Sequence, residues 1–184
     1  MTDTAQPQDL AAFVREMKDR HEIGECLLRY TRGVDRFDWD LMRSAYHDDA
    51  WDQHGVASGD PDSFCRWAID FHDKAQTSHH HMVSNMVIDL DGDTAHVESY
   101  YLFVGDNRSG PPTLSYGRYV DRFERRAGDW RIAHRVCIIE YSGFFGETRV
   151  PDAVQARIAL GPPSRDRNDP SYHRPLGRVP EPAG

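Results

Sequence analysis

Apolar residues recur at helical spacing from Leu10 to Val34, through Phe13, Val14, Met17, Ile23, Leu27, Leu28 and Tyr30, with charges between them. The spacing predicts one long helix, or two joined near Asp19-Arg20-His21, behind a loose tail over residues 1–8. Asp35 falls at or just beyond the last turn. Asp38 is placed to cap a second, short helix whose inner face is Leu41, Met42, Ala45 and Tyr46. Residues 51–56 read as a short strand. Gly59-Asp60-Pro61-Asp62 then opens a third helix, from Pro61 to about Lys74, with Phe64, Trp67, Ala68 and Phe71 inward.

After Gln76 the period changes from helical to alternating. Strands are predicted over 79–90, 94–104, 114–126 and 130–141. Asp91-Gly92-Asp93 and Ala127-Gly128-Asp129 supply tight turns, and Gly105–Pro112 a longer loop. Such short connections make the strands antiparallel neighbours. Along the first of them His79, His81, Val83, Asn85 and Val87 share one face, and His80, Met82, Ser84, Met86 and Ile88 share the other. Three helices followed by an antiparallel meander make an α+β fold. A curved antiparallel β-sheet is expected to curl around the N-terminal helices and enclose a cone-shaped cavity. The chain divides into the tail, one domain over 9–150, and a C-terminal helix with a proline-rich extended arm over 151–184.

With 184 residues, 28% charged and 39% hydrophobic, the composition is that of a globular domain able to bury a core. A net charge of −8 argues against nucleic acid as a partner. No apolar run reaches the roughly 20 residues needed to span a bilayer, so no membrane is expected. Cys26, Cys65 and Cys137 are three and widely spaced, which supports neither a disulfide framework nor a zinc site. Met1–Pro7 lacks the pattern of a secretory leader, so the expected compartment is cytoplasmic.

Several stretches resemble SnoaL-like proteins of the nuclear transport factor 2-like superfamily. They are Leu28–Asp38, Ala45-Tyr46-His47-Asp48-Asp49-Ala50, His81-Met82-Val83-Ser84-Asn85 and Gly128-Asp129-Trp130-Arg131-Ile132. The likeness covers about residues 10–145 and is greatest to the subset holding scytalone dehydratase, hexachlorocyclohexane dehydrochlorinase and bile-acid 7α-dehydratase. In that subset a helix-end Asp and a His at the start of a strand together abstract a proton, and Asp35 and His81 fall on those positions. Tyr30 falls on a pocket tyrosine of the bile-acid enzyme. The resemblance implies association as a homo-dimer or homo-trimer through the convex sheet face.

An Asp–His pair suits elimination. The carboxylate accepts from one ring nitrogen and raises the basicity of the other, and the chemistry needs no cofactor. Tyr30, with another tyrosine, would bind or protonate the leaving oxygen. Candidate substrate-binding residues are Asn85, Tyr46, Tyr101, Tyr116, His134, Arg135 and Trp39. His134 and Arg135 are adjacent on a strand, so only one faces the cavity. The aromatic content suits a small hydrophobic or aromatic substrate of polycyclic, phenolic or steroid size. His79 and His81 share a face and invite a metal, but no carboxylate of ligand spacing accompanies them. The reading is therefore no metal, with His79 and His80 at the sheet rim and His81 inside.

The function read from this is a cofactor-independent lyase of dehydratase type, acting on a cyclic or aromatic hydroxy compound. The alternatives are an aromatic-diol carbon–carbon lyase releasing an aldehyde, a ketosteroid-isomerase-like isomerase, and a non-catalytic ligand-binding or assembly subunit.

Overall fold

The computed structural model describes residues 7–55, 57–146 and 165–167. Helix α1, Pro7–Arg36, is unbroken. Its polar middle is anchored rather than bent. Asp19 accepts from Trp130 Nε1 at 2.9 Å and from Arg125 at 2.6 Å, and Arg20 donates to the Ile88 carbonyl at 2.8 Å. Beyond these anchors Ile23, Cys26, Leu27, Tyr30 and Val34 are buried. Before them Leu10, Phe13, Val14 and Met17 remain exposed.

The end of α1 positions the site. Phe37 takes φ +52°, the left-handed conformation usual for the residue that closes a helix. Its N–H donates to Val34 O, and that of Asp38 to Gly33 O at 2.9 Å. Asp38 then caps α2, Trp39–Arg43, through the Leu41 N–H. Gly33 is required here, because a Cβ on it would run into the Met42 backbone nitrogen. The close approach of α2 thus depends on a missing side chain two residues before Asp35.

Strand β1, Tyr46–His54, starts earlier than the sequence pattern suggests. Ala45 O accepts from Ile132 N at 2.9 Å, which draws the following residues into the sheet. Tyr46 is therefore a strand residue and not part of the α2 face. β2, Ala57–Gly59, pairs back on β1, and α3, Pro61–Ala75, follows with Asp60 as its cap. The meander is β3 (Gln76–Asp91), β4 (Thr94–Asn107), β5 (Thr113–Arg126) and β6 (Asp129–Phe144). The six strands run in the order β2-β1-β6-β5-β4-β3. The meander is antiparallel as expected, but β1 joins β6 in parallel, so the curved, open sheet is mixed.

One irregularity overturns a sequence expectation. The β3–β4 register breaks between Ser84 and Val87, and Asn85 takes φ +48° there. The bulge reverses the side-chain alternation. His79, His81 and Val83 face inward before it, and Ile88 and Leu90 after it, while Val87 is 57% exposed. Of the predicted C-terminal helix and arm, only 165–167 fall within the described residues. There Arg165 lies over the Phe37 ring, 4.3 Å from its centroid, and donates to His72 O at 3.0 Å.

Candidate functional site

A cavity of about 280 Å3 opens between the second half of α1, α3 and the concave sheet face. Its wall is largely aromatic (Tyr30, Phe64, Trp67, Phe103 and Tyr119) with His54, His72 and His81 among these rings.

Asp35 and His81 meet at its edge. Asp35 Oδ1 lies 2.7 Å from His81 Nδ1, and the carboxylate also accepts the His81 backbone N–H at 2.9 Å. A carboxylate only accepts, so Nδ1 carries the proton and Nε2 is the basic nitrogen. Both side chains are about nine-tenths buried. The negative end of the helix dipole disfavours a carboxylate at Asp35, and the hydrogen bonds from β3 compensate.

His72 and His79 pack behind the pair, their rings stacked at 4.3 Å. His79 is 2% exposed, not at the sheet rim, and lies inside against α1. Its Nε2–H donates to Val34 O at 3.2 Å. His72 Nδ1–H donates to Gln76 Oε1 at 2.9 Å. Burial, then the charge of His81, pushes His72 down to about 3. Burial, then His72, pushes His79 down to about 2. Both rings are neutral near pH 7 and hold Asp35 and His81 by shape.

This burial has a consequence for stability. The unfolded chain takes up protons on these histidines near pH 6.5, whereas the folded chain takes them up only at about 3 and about 2. Stability is full above that unfolded value and falls as the pH drops below it. Near pH 5 the loss is expected to be about 2 kcal/mol per histidine. Urea midpoints at neutral pH and at pH 5 would measure it, and equal midpoints would refute it.

Asp35, His79 and His81 also present donor atoms within 4.8 Å of one another, a group of the kind that holds a metal ion. Their geometry is already that of a hydrogen-bonded cluster. Nδ1 of His81 is engaged by Asp35, and Nε2 of His79 by a backbone carbonyl. Asp35 is thus the carboxylate that the sequence spacing did not place beside His79 and His81, and it is already engaged by the Nδ1–H and backbone N–H of His81.

Beneath the cavity lies a second polar layer. Arg135, fully buried, makes a bidentate pair with Asp121, at 2.7 Å to each oxygen. Its guanidinium packs against the rings of Tyr30 and Tyr119, 4.4 and 4.2 Å from their centroids, in the corner that these two perpendicular rings make. Burial disfavours this cation, but Asp121 outweighs it, and Arg135 stays well above its ordinary range. Beside it Asp52, fully buried, accepts from Tyr46 Oη at 2.6 Å and from His54 Nδ1 at 2.8 Å.

The candidate binding residues are thus dispersed. Tyr30 and Tyr101 line the cavity, with Tyr101 Oη 3.3 Å from Ser115 Oγ. Burial raises the Tyr30 hydroxyl well above its ordinary value. Tyr46 and Arg135 lie under the floor and do not line it. Tyr116 is on the outer sheet face, stacked on Tyr141. His134 also faces outward, toward Gln53 at 3.3 Å. Asn85 is the exposed bulge residue, and Trp39 packs under Arg66 away from the cavity. Two cavity histidines, His54 and His72, were not singled out from sequence. The signal for His54 is Asp52-x-His54, an i, i+2 pair on one strand face. For His72 it is the helical stripe Phe64, Ala68, His72.

Similarity to solved structures agrees with this architecture. Over 70% of this chain and 95% of the other, it matches the Kfla4162 protein of Kribbella flavida, with a TM-score of 0.64 and 20% identity. A hexachlorocyclohexane dehydrochlorinase, LinA-type3 from Novosphingobium barchaimii, matches over 75% of this chain and 98% of its own, at TM-score 0.68 and 19% identity. A Novosphingobium aromaticivorans protein provisionally named a scytalone dehydratase matches over 72% and 91%, at TM-score 0.65 and 16% identity. No curated protein matches in sequence. Identities this low show a shared fold. The family model of the SnoaL-like domain matches residues 15–136, two thirds of the chain, and this chain belongs to the SnoaL-like family.

Proposed function

We propose that the protein is a cofactor-independent lyase that dehydrates a cyclic or aromatic hydroxy compound. The observation that carries this is the 2.7 Å contact between Asp35 and His81 at the edge of an aromatic-lined cavity. His81 Nε2 removes a proton next to a carbonyl or other activating group, and Asp35 holds the ring in the tautomer that can accept it. The electron pair forms the new double bond, and hydroxide leaves with a proton as water. Tyr30 serves as a hydrogen-bonding hydroxyl, its burial making it a poor proton donor at neutral pH. Relatives named as a dehydrochlorinase and, provisionally, a dehydratase support elimination as the class.

The cavity narrows the substrate. About 280 Å3 is at the small end of ligand pockets, which run from roughly 300 to 1,000 Å3. One or two rings fit it better than a steroid. Tyr100, Leu102, Tyr116 and Tyr141 form an exposed apolar outer face, which suits contact between copies in a homo-dimer or homo-trimer. Among the described residues no helix is long and apolar enough to cross a membrane.

A bicyclic β-hydroxy ketone, β-hydroxytetralone, tests the reaction, since loss of water yields naphthol and is easily followed. The wild type is expected to release naphthol, and His81→Gln to lose about 10²–10⁴-fold in rate. Undiminished turnover by His81→Gln would sink the proposal.

A further inference from the structure

Three imidazoles border the cavity, and their Nδ1 partners differ. For His81 it is the carboxylate of Asp35, and for His72 the neutral amide of Gln76. For His54 it is again a carboxylate, that of the fully buried Asp52. The cavity therefore holds a second Asp–His pair, on β1, which is separated from β3 by three strands in the sheet order. Asp52 is itself oriented, because Tyr46 Oη donates to its other oxygen at 2.6 Å. The His54 ring is clamped against Phe64 at 4.8 Å and lies 5.7 Å from Tyr119. With Nδ1 bound to Asp52, Nε2 is the nitrogen available to a ligand.

We propose that His54 is the catalytic acid of this site, delivering from Nε2 the proton that the leaving oxygen needs while His81 takes the proton from carbon on the other side of the cavity. This rests on the lyase reading above.

The floor of the cavity supports it, because the partner that Asp52 offers His54 is a fully buried carboxylate, as Asp35 offers one to His81. His72 has no carboxylate, and burial keeps it neutral with a value of about 3. Tyr30 is held well above the range of a useful donor at neutral pH. Among the described lining residues, His54 is the imidazole besides His81 that a carboxylate holds at Nδ1. In balanced form, the C–H pair becomes the C=C bond and the C–O bond breaks toward oxygen. His54 loses one proton and His81 gains one, water leaves, and exchange with solvent restores both rings.

The test compares two probes, β-hydroxytetralone and β-chlorotetralone, because chloride leaves without a proton. His54→Gln is expected to lose about 10²–10³-fold in kcat/KM on the hydroxy compound, and tenfold or less on the chloro compound. Tyr46→Phe, which unties Asp52 but leaves the His54 ring in place, is expected to shift the same ratio in the same direction by a smaller factor. His81→Gln should lose on both probes. Ring resonances of His54 and His81 should both move when the wild type is titrated with naphthol. Equal losses of His54→Gln on the two probes, or a His54 ring that naphthol leaves unmoved, would overturn the role of His54 alone. A wild type that turns over neither probe would overturn the lyase reading and the role of His54 with it.

Discussion

Asp35→Asn is expected to lower turnover by about 10³–10⁴-fold while leaving the fold intact. The carboxamide keeps an oxygen that can accept the His81 backbone N–H, now held at 2.9 Å. What changes is the partner at Nδ1, 2.7 Å from the carboxylate. An amide nitrogen placed there donates, so Nδ1 must accept and the ring proton moves to Nε2. The nitrogen facing the substrate then carries a proton and cannot serve as a base. In a serine-protease triad the same exchange costs about 10⁴-fold through the same tautomer change. The ring nitrogen shifts of His81 check the cause directly, since wild type should show Nδ1–H and the variant Nε2–H. A variant with the wild-type tautomer and an unchanged rate would remove Asp35 from the mechanism.

Arg135→Met is expected to destabilise the fold by about 3–5 kcal/mol, the usual cost of removing one partner of a buried ion pair. The cost arises because Asp121 and Asp52 remain fully buried as carboxylates with no cation between them. Tyr30 and Tyr119 lose the guanidinium that packs against both rings. Replacing both partners, as Arg135→Met with Asp121→Leu, should recover most of the loss, because Asp121 no longer stands as an unpaired buried charge and Asp52 keeps its hydrogen bonds to Tyr46 and His54. Urea unfolding of the single and double variants measures the difference. A single-variant cost below about 1 kcal/mol would mean that Arg135 is not the support of the cavity floor.

Much of this molecule follows from local pattern. The helical spacing from Leu10 onward gives α1, Asp38 and Asp60 cap the next two helices, and the glycine turns at Gly92 and Gly128 set the meander. Each of these depends on neighbours within a few residues, which is why periodicity and turn chemistry reveal them. The positions of Asp35 and His81 were legible by resemblance, and the helix end on which Asp35 lies was legible from spacing, whereas β3 begins at Gln76, three residues before the expected start, and carries His81 in its interior.

What the chain alone could not decide are facts of non-local pairing. The alternation of β3 holds only as far as Ser84, where a bulge that no residue announces puts Asn85 outside the cavity wall. Arg135 and not His134 faces inward because β6 carries an extra residue at Ala133, where its register with β5 shifts and the inward face passes from Trp130 and Ile132 to Arg135 and Cys137. β1 lies on one side in parallel and β5 on the other, and together they bury Arg135 over Asp121. Asp52 and His54 share a strand face by simple alternation. Only the curl of the sheet brings that face to the same cavity as His81, because strands far apart in the order meet through curvature, which no local residue pattern encodes.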